Sequence, residues 1–572
     1  MDSNYSVADA LAAAMRRHGV EQVFGQSIPS AFILALPAVG IRQVGYRTEN
    51  AGGIMADGYA RISGKVGVVC AQNGPAATLL VAPLAEALKA SVPIVAIVQD
   101  VPRGMVDRNA FQEFDHIALF HGCTKWARRV DRADRLDDYV DMAFTAATSG
   151  RPGPVALMVP MDLLREAGKP QTARVANLGT FPLDRTIAPT ERIAEAAELI
   201  ANARRPLLIA GGGVHLSGAA TELVALAEDN ALPVATTNMG KGAIAEDHPL
   251  ALGVFASNMV LGSHGGALAD MLLEADVILL VGTRTNQNAT DSWRTYPVGA
   301  RYIHLDIDPC EVGRNYEAVR LVGDARASLR ALSKALAGRR TGESAAIAQR
   351  TTAARAAVVA HAAALGEGCE GRVRPEYLMA ELEAAMRPDD IIVADASYAS
   401  NWITTYLSAQ RHGQRFLLPR GLAGLGWGMP LALGAKIASP ESRVVAVVGD
   451  GGFGHCWQEL ETARRMGLAV TVILLNNAIL GFQYHAENVH YGVHSDSVRF
   501  SDVDHAAIAR ACGCAGVRVD RPADFAAALA QALAADRTTL IEVMTDPDAY
   551  PPISLFEGQS HARVTTMNVA AA

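Results

Sequence analysis

The stretch VVAVVGDGGFGHCWQELETARRMGLAVTVILLNNAILGF, Val444 to Phe482, decides the fold. Its β-branched run Val444–Val448 predicts a strand that ends in Gly449-Asp450-Gly451-Gly452. A helical segment from about Trp457 to Met466 follows, and a second apolar run, Val470–Leu475, ends in Asn476-Asn477. Such a strand–helix–strand unit places polar groups only at the carboxyl ends of its strands, where parallel α/β sheets bind ligands. Asp450 then offers a carboxylate oxygen, Asn477 an amide oxygen and Ile479 a backbone carbonyl. Hard oxygens of this kind suit Mg²⁺, which usually shares its coordination with phosphates. Gly451 and Gly452 let the backbone approach a phosphate, and the helix start behind them offers free N–H groups. Gly-Asp-Gly alone is a common turn; followed by Asn-Asn at the next strand end, it reads as a metal–diphosphate clamp.

The chain has 572 residues, 50% hydrophobic and 19% charged, with a net charge of −8. That length predicts three or four domains, each with a substantial core. No basic cluster or basic–aromatic interleaving points to nucleic acid. Seven widely spaced cysteines form no CxxC pair, which favours reduced thiols and a cytoplasmic protein. Cys512-Gly-Cys514 reads as helix-end packing, since no partner His/Cys motif accompanies it. The amino terminus lacks the pattern of a secretory signal. Apolar runs such as Val92–Val98 are strand length, short of the ~18–20 residues of a membrane span.

Outward from the clamp, strand and helix signals alternate along the whole chain. That pattern predicts α/β architecture with three doubly wound parallel sheets. The expected domains are 1–165, 189–337 and 373–550, with a turn-rich linker at about 165–186 and a tail at 551–572. The Ala/Arg-rich segment 338–371 reads as an exposed, solvated connecting helix. In the first domain, Arg47-Thr48-Glu49-Asn50-Ala51-Gly52-Gly53 opens a helix over Ile54–Arg61. In the second, Gly211-Gly212-Gly213 follows one strand, and Asp306 and Asp308 stand at the end of another.

The Gly-Asp-Gly…Asn-Asn unit, with ENAGGIMADGYAR (49–61), AFQEFDHIALF (110–120), GRPGPVALMVPMD (150–162) and GLAGLGWGMPLALGAKIA (421–438), resembles the thiamine diphosphate enzymes. The likeness is greatest to their acetohydroxyacid synthase/pyruvate oxidase branch and covers essentially the whole chain. It implies a pyrimidine-binding, a central and a diphosphate-binding domain, and a homodimer at least, more often a homotetramer. It implies that Glu49, as a buried carboxyl, shares a proton with a ring nitrogen of the aminopyrimidine of a cofactor held by a neighbouring chain. Leu425 fills the bend between the cofactor's two rings, where relatives often carry Met. The backbone at Ala423 and Leu425 bonds the pyrimidine, and Ser397, Tyr398 and Ala399 take the diphosphate. Gly449, Gly451, Gly452, Gly481 and Phe482 complete that site.

By the same resemblance, Arg284, Asp306 and Ile307 fall where the synthases bind the ADP half of FAD. The segment TNQNATDSW after Arg284 departs from the synthase pattern, so FAD, ADP and an empty site all stay open. Phe111 and Gln112 match substrate-pocket positions. Met161 and Asn73-Gly74-Pro75-Ala76 depart from those of the synthases, which leaves donor and acceptor open. His116, His121, Gln483 and His485 are further polar candidates. The expected activity is thiamine diphosphate- and Mg²⁺-dependent decarboxylation of a 2-oxo acid with transfer of the activated aldehyde to a second carbonyl. The alternatives are a simple decarboxylase, a flavin-coupled oxidase, a diketone lyase or hydrolase, and a non-catalytic scaffold.

Overall fold

Long β-branched runs with no polar alternation need cover on both faces, and they find it in three six-stranded, wholly parallel sheets. The computed structural model describes residues 5–170, 173–260, 262–339 and 344–554. The first sheet runs, edge to edge, Arg42–Val44, Gln22–Phe24, Gly67–Ala71, Ile94–Asp100, Val155–Pro160, Trp126–Arg129. The third runs Phe416–Leu417, Ile391–Ala394, Val444–Gly449, Thr471–Asn476, Thr539–Met544, Ala515–Val519. Numbered within their own sheets, both follow the order 2-1-3-4-6-5, so the two are topological duplicates. The central sheet runs Ala318–Val322, Arg301–Asp306, Val277–Val281, Pro206–Ala210, Val234–Thr236, Ala251–Val254.

The first and third sheets share one core. Helix Glu49–Ser63 lies against helix Gly428–Ala438, and Ile54, Met55 and Tyr59 pack with Met429, Leu431 and Leu433. The helices touch backbone to backbone. A Cβ on Gly434 would stand 2.0 Å from the Met55 carbonyl oxygen, and one on Gly58 2.3 Å from that of Leu431. Two carboxylates tie the domains reciprocally. Glu86 accepts from the N–H of Gly421 at 2.7 Å and also from that of Leu422. Glu459 accepts from the N–H groups of Arg47 and Thr48 at 3.2 and 3.1 Å. Each carboxylate thus holds the entry to the other domain's helix of the crossing pair.

Several expectations need correction. The helix at ENAGG starts at Glu49, not Ile54, because Thr48 caps it by accepting from the Ala51 N–H. The helix expected from Trp457 starts at Glu459, after a separate short turn of helix, Asp450–Phe453. The segment read as an exposed connecting helix contains one, Ser344–Ala364, largely exposed but with one docked patch. Helix Ser344–Ala364 buries Thr351 and Ala354 against the central domain, and Arg355 donates to the Glu246 carbonyl at 2.7 Å. The tail's first residues also dock, with Ser554 Oγ donating to Asp291 Oδ1 at 2.6 Å. The rest of the expected tail, 555–572, lies outside the described residues. Cys512 does end a helix, His505–Ala511, and Cys514 packs against the Leu460 carbonyl. Among the described residues, no helix is long and apolar enough to cross a membrane.

Candidate active site

A parallel sheet with order 2-1-3-4-6-5 reverses direction between its strands 1 and 3, and a crevice opens there at the carboxyl edge. In the third sheet those strands are Ile391–Ala394 and Val444–Gly449. The crevice brings together Ser397, Tyr398, Ala399, Leu425, Gly449, Asp450, Gly451, Gly452, Asn477, Ile479 and Gly481. Ala423 and Phe482 line an adjoining cavity that shares Ser397 and Leu425 with the first.

The local chain shapes the crevice. Ser397 precedes helix Tyr398–Tyr406 with φ 64° and ψ −145°, which turns the helix start toward the crevice. Ala423 and Ala478 also take positive φ, 61° and 56°. Residues other than glycine held in this region cost about 1–3 kcal/mol each and gather where ligands bind. Tyr398 does not point its hydroxyl at a diphosphate. Its ring stacks with His485 and meets Phe482 and Tyr550 edge-on, and its hydroxyl pairs with His485 Nδ1 at 3.1 Å. What Tyr398 and Ala399 offer an anion is therefore their backbone. A Cβ on Gly452 would stand 2.3 Å from Asp395 Oδ2, so nothing larger fits there.

Asp450 is 7% exposed, and burial pushes its carboxyl up to about 6. A buried carboxylate is relieved by a cation. Asn477 Oδ1 accepts from the Ile479 N–H at 3.2 Å, which aims the 477–479 turn at the same crevice. Among the described residues, no cluster of three or more His, Cys, Asp or Glu side chains could hold a metal. The donor set here is one carboxylate, one amide oxygen and a backbone carbonyl, which fits Mg²⁺ completed by phosphate oxygens and suits no thiolate- or imidazole-seeking ion.

Two supporting acids escaped the sequence reading. Asp395 is buried and accepts from the N–H groups of Ala396, Gly426 and Trp427 at 2.7, 3.1 and 3.2 Å, which fixes the turn that carries Leu425. Burial pushes it up to about 6. Glu542 accepts from Asn476 Nδ2 at 2.7 Å and from the Ala506 N–H at 3.0 Å, and lies 3.1 Å from His505 Nδ1. Burial works against its charge, but those hydrogen bonds hold it down at about 2. An Asp just past a strand end, in ADAS, was the one available signal for Asp395; Glu542 sits inside a strand and gave none.

Glu49 does not line this crevice. It is the first residue of its helix and half-buried, rather than buried as expected. Phe111 is 83% exposed. Gln112, at φ 61°, accepts on its side chain from Gln72 and on its carbonyl from Asn73. His116 Nε2 accepts from the Gly74 N–H at 3.0 Å and so supports the Asn73-Gly74 turn. His485 is tied to Tyr398, Gln483 lines the cavity beside Leu425, and His121 is exposed at a helix end. Glu49, Asn73-Gly74 and the 109–113 loop follow strands of the first sheet at its carboxyl edge. They form a second polar edge, and none of them lines the crevice described above.

The central domain gathers Arg284, Asp306 and Ile307 around one cavity with Gly212 and Gly213. Burial pushes Asp306 up to about 7 and pulls Arg284 down. Asp308 pairs at 3.2 Å with Arg151, which itself lines that cavity.

Two duplicated parallel domains, a third between them in sequence and a polar crevice at a sheet switch point define an α/β protein of the kind that binds ligands at strand ends. Comparison with known proteins gives the family. Residues 5–119 match the thiamine pyrophosphate enzyme N-terminal TPP binding domain, 193–332 the central domain and 395–543 the C-terminal TPP binding domain. The chain belongs to the thiamine pyrophosphate enzymes, in their acetolactate synthase-like branch. It is 34% identical over 564 residues to a probable acetolactate synthase large subunit of Methanococcus aeolicus, covering 95% of this chain and 92% of that one. It is 35% identical over 589 residues to the acetolactate synthase large subunit of Parasynechococcus marenigrum, covering 98% and 90%. It is 32% identical over 549 residues to the acetolactate synthase isozyme 2 large subunit of Escherichia coli, covering 93% and 94%.

Proposed function

We propose that the protein decarboxylates a 2-oxo acid, pyruvate or a close relative, and joins the activated aldehyde to a second carbonyl, as the names of its relatives suggest. The observation that carries this reading is the division of the machinery between two carboxyl edges, one with Asp450, Asn477 and Leu425, the other with Glu49, Phe111 and Gln112. Neither edge suffices alone, and a homodimer in which they face each other completes both. A homotetramer of two such dimers fits equally.

In this reading Asp450, Asn477 and the Ile479 carbonyl hold Mg²⁺. The backbone of Gly449, Gly451, Gly452, Gly481 and Ser397–Ala399 holds the diphosphate, with Phe482 alongside. Leu425 would pack against the cofactor's rings, and the backbone at Ala423 and Leu425 would bond the pyrimidine. Bound thiamine diphosphate supplies a nucleophilic carbon and an electron sink that lets CO₂ leave. The partner subunit's Glu49 holds and returns a proton at the pyrimidine ring nitrogen. Phe111 and Gln112 from that same edge close the substrate pocket and exclude water. Arg284, Asp306 and Ile307 hold an adenine nucleotide, FAD or ADP, in the central cavity.

The test is CO₂ release and product analysis with the purified protein, thiamine diphosphate and Mg²⁺, given pyruvate alone and with an added aldehyde. A 2-hydroxy-ketone or 2-acetolactate-type product, lost on replacing Glu49 by Gln, is expected. Free aldehyde alone as product, or full turnover in Glu49→Gln, contradicts the reading. Mass analysis of the small molecules released on denaturation identifies the nucleotide.

A further inference from the structure

Among the described residues no carboxylate forms an ion pair with Arg420; Glu86, whose charge is felt there, lies 3.9 Å from Arg61 instead. Arg420 lies between strand Phe416–Leu417 and helix Gly428–Ala438. One arm of its guanidinium, Nη2, donates to Ser400 Oγ and, at 2.9 Å, to Asn401 Oδ1, both on helix Tyr398–Tyr406. Those neutral partners fix its orientation without offsetting its charge. Its Nε is buried with no hydrogen-bond partner. Glu86 reaches it only as a longer-range charge and is itself engaged by the N–H groups of Gly421, Leu422 and Ala423. Burial pulls the guanidinium down to about 10, which leaves it charged at neutral pH. Arg420 is half-buried and faces two cavities with part of its donor set unused, so a cation so placed favours an anion. Its planar fork is suited to carboxylate or phosphate.

The place of Arg420 narrows the choice of anion. It lines the cavity that holds Ser397, Leu425 and Gln483, next to the crevice of Asp450. It also lines the cavity of Arg284 and Asp306. A guanidinium gripping the carboxylate that must leave as CO₂ would stabilise the ground state more than the transition state and slow the reaction. The carboxylate that suits Arg420 is one that survives.

We infer that Arg420 is the hook for a substrate carboxylate retained in the product, carried by the carbonyl acceptor or at the far end of the donor. It sets the preference for charged over neutral substrates. This rests on the decarboxylation–ligation reading above.

The test compares wild type, Arg420→Gln and Arg420→Lys, all loaded with thiamine diphosphate and Mg²⁺. The ratio of kcat/KM for 2-oxobutanoate over propanal as acceptor reports the first source. The ratio for 2-oxoglutarate over pyruvate as donor reports the second. One of the two ratios falls in Arg420→Gln by roughly 30- to 100-fold, the worth of a charge-assisted hydrogen bond, chiefly through KM. Arg420→Lys recovers part of it. Calorimetry with malonate, which cannot react, gives a readout independent of turnover: wild type binds it and Arg420→Gln does not. Both ratios unchanged, or malonate affinity equal in wild type and Arg420→Gln, overturns the inference. Loss of ADP affinity in Arg420→Gln with both ratios intact also overturns it, and assigns the guanidinium to a nucleotide phosphate. A wild type that releases no CO₂ from any 2-oxo acid, yet binds malonate through Arg420, sinks the decarboxylase reading and leaves the anion site standing.

Discussion

At the residue scale the candidate site depends on buried acids that spend their lone pairs on backbone N–H groups. Asp395 is the clearest, with three such donors spread over the turns at 396 and 426–427. Asp395→Asn keeps the size but sets an NH₂ against N–H donors. It should cost about 1–3 kcal/mol and weaken thiamine diphosphate binding, because the Leu425 turn loosens. Thermal midpoint and cofactor affinity check this, and an unchanged affinity would refute the role. Glu542 gives a pH signature. Its pKa is held at about 2, below the ~4.3 of an unfolded Glu. Its contribution is therefore complete above about pH 4.3 and is lost as pH falls toward 2. The gap in thermal midpoint between wild type and Glu542→Gln should narrow between pH 5 and pH 3; a constant gap would contradict the assignment. The ligand-facing residues, Asp450, Asn477 and Leu425, were legible because a strand–helix–strand unit fixes their spacing locally. Asp395, Glu542 and Arg420 were not, because each acts on groups that only the fold brings near. Glu86 reaches Gly421 across 335 positions, which no local pattern records.

At the scale of elements, the alternating strands were plain from their β-branched runs, and errors fell at helix starts. Thr48 begins its helix earlier than the apolar run suggested, since capping rather than hydrophobicity sets that boundary. The Ala/Arg-rich segment 338–371 contains the expected, largely exposed helix, and only its docked patch went unread. Helix Ser344–Ala364 buries two small residues, Thr351 and Ala354, and packs Ile347 beside them, which leaves almost no apolar stripe. The crossing of helices Glu49–Ser63 and Gly428–Ala438 was invisible, because Gly58 and Gly434 look like poor helix residues until a facing carbonyl demands them. The reciprocal grip of Glu86 and Glu459 gives this crossing a functional reading. Glu459 holds the N–H groups of Arg47 and Thr48, immediately before Glu49. Glu459→Ala should free the helix start and lower kcat by about 10- to 100-fold, the scale of an ångström-level displacement, with little change in cofactor affinity. Steady-state kinetics with a cofactor titration separates this from a general loss of folding, which would move both. Equal kcat in variant and wild type would remove Glu459 from the positioning role.

At the scale of the whole molecule, the two duplicated domains each present a polar carboxyl edge, and the site residues of the first do not line the crevice of the other. Phe111, 83% exposed, and the half-buried Glu49 await cover that a second copy supplies in our reading. Division of one site between subunits is open to a complementation measurement. Glu49→Gln lacks one edge and Asp450→Ala the other, so each is inactive alone. When the two are unfolded together and reassembled, every mixed dimer contains one intact pair of edges. The account predicts that activity returns to about a quarter of the wild-type value, the statistical yield for random pairing in a two-fold dimer. Mixtures as inactive as the separate variants would place Glu49 and Asp450 in one chain's site and contradict the account.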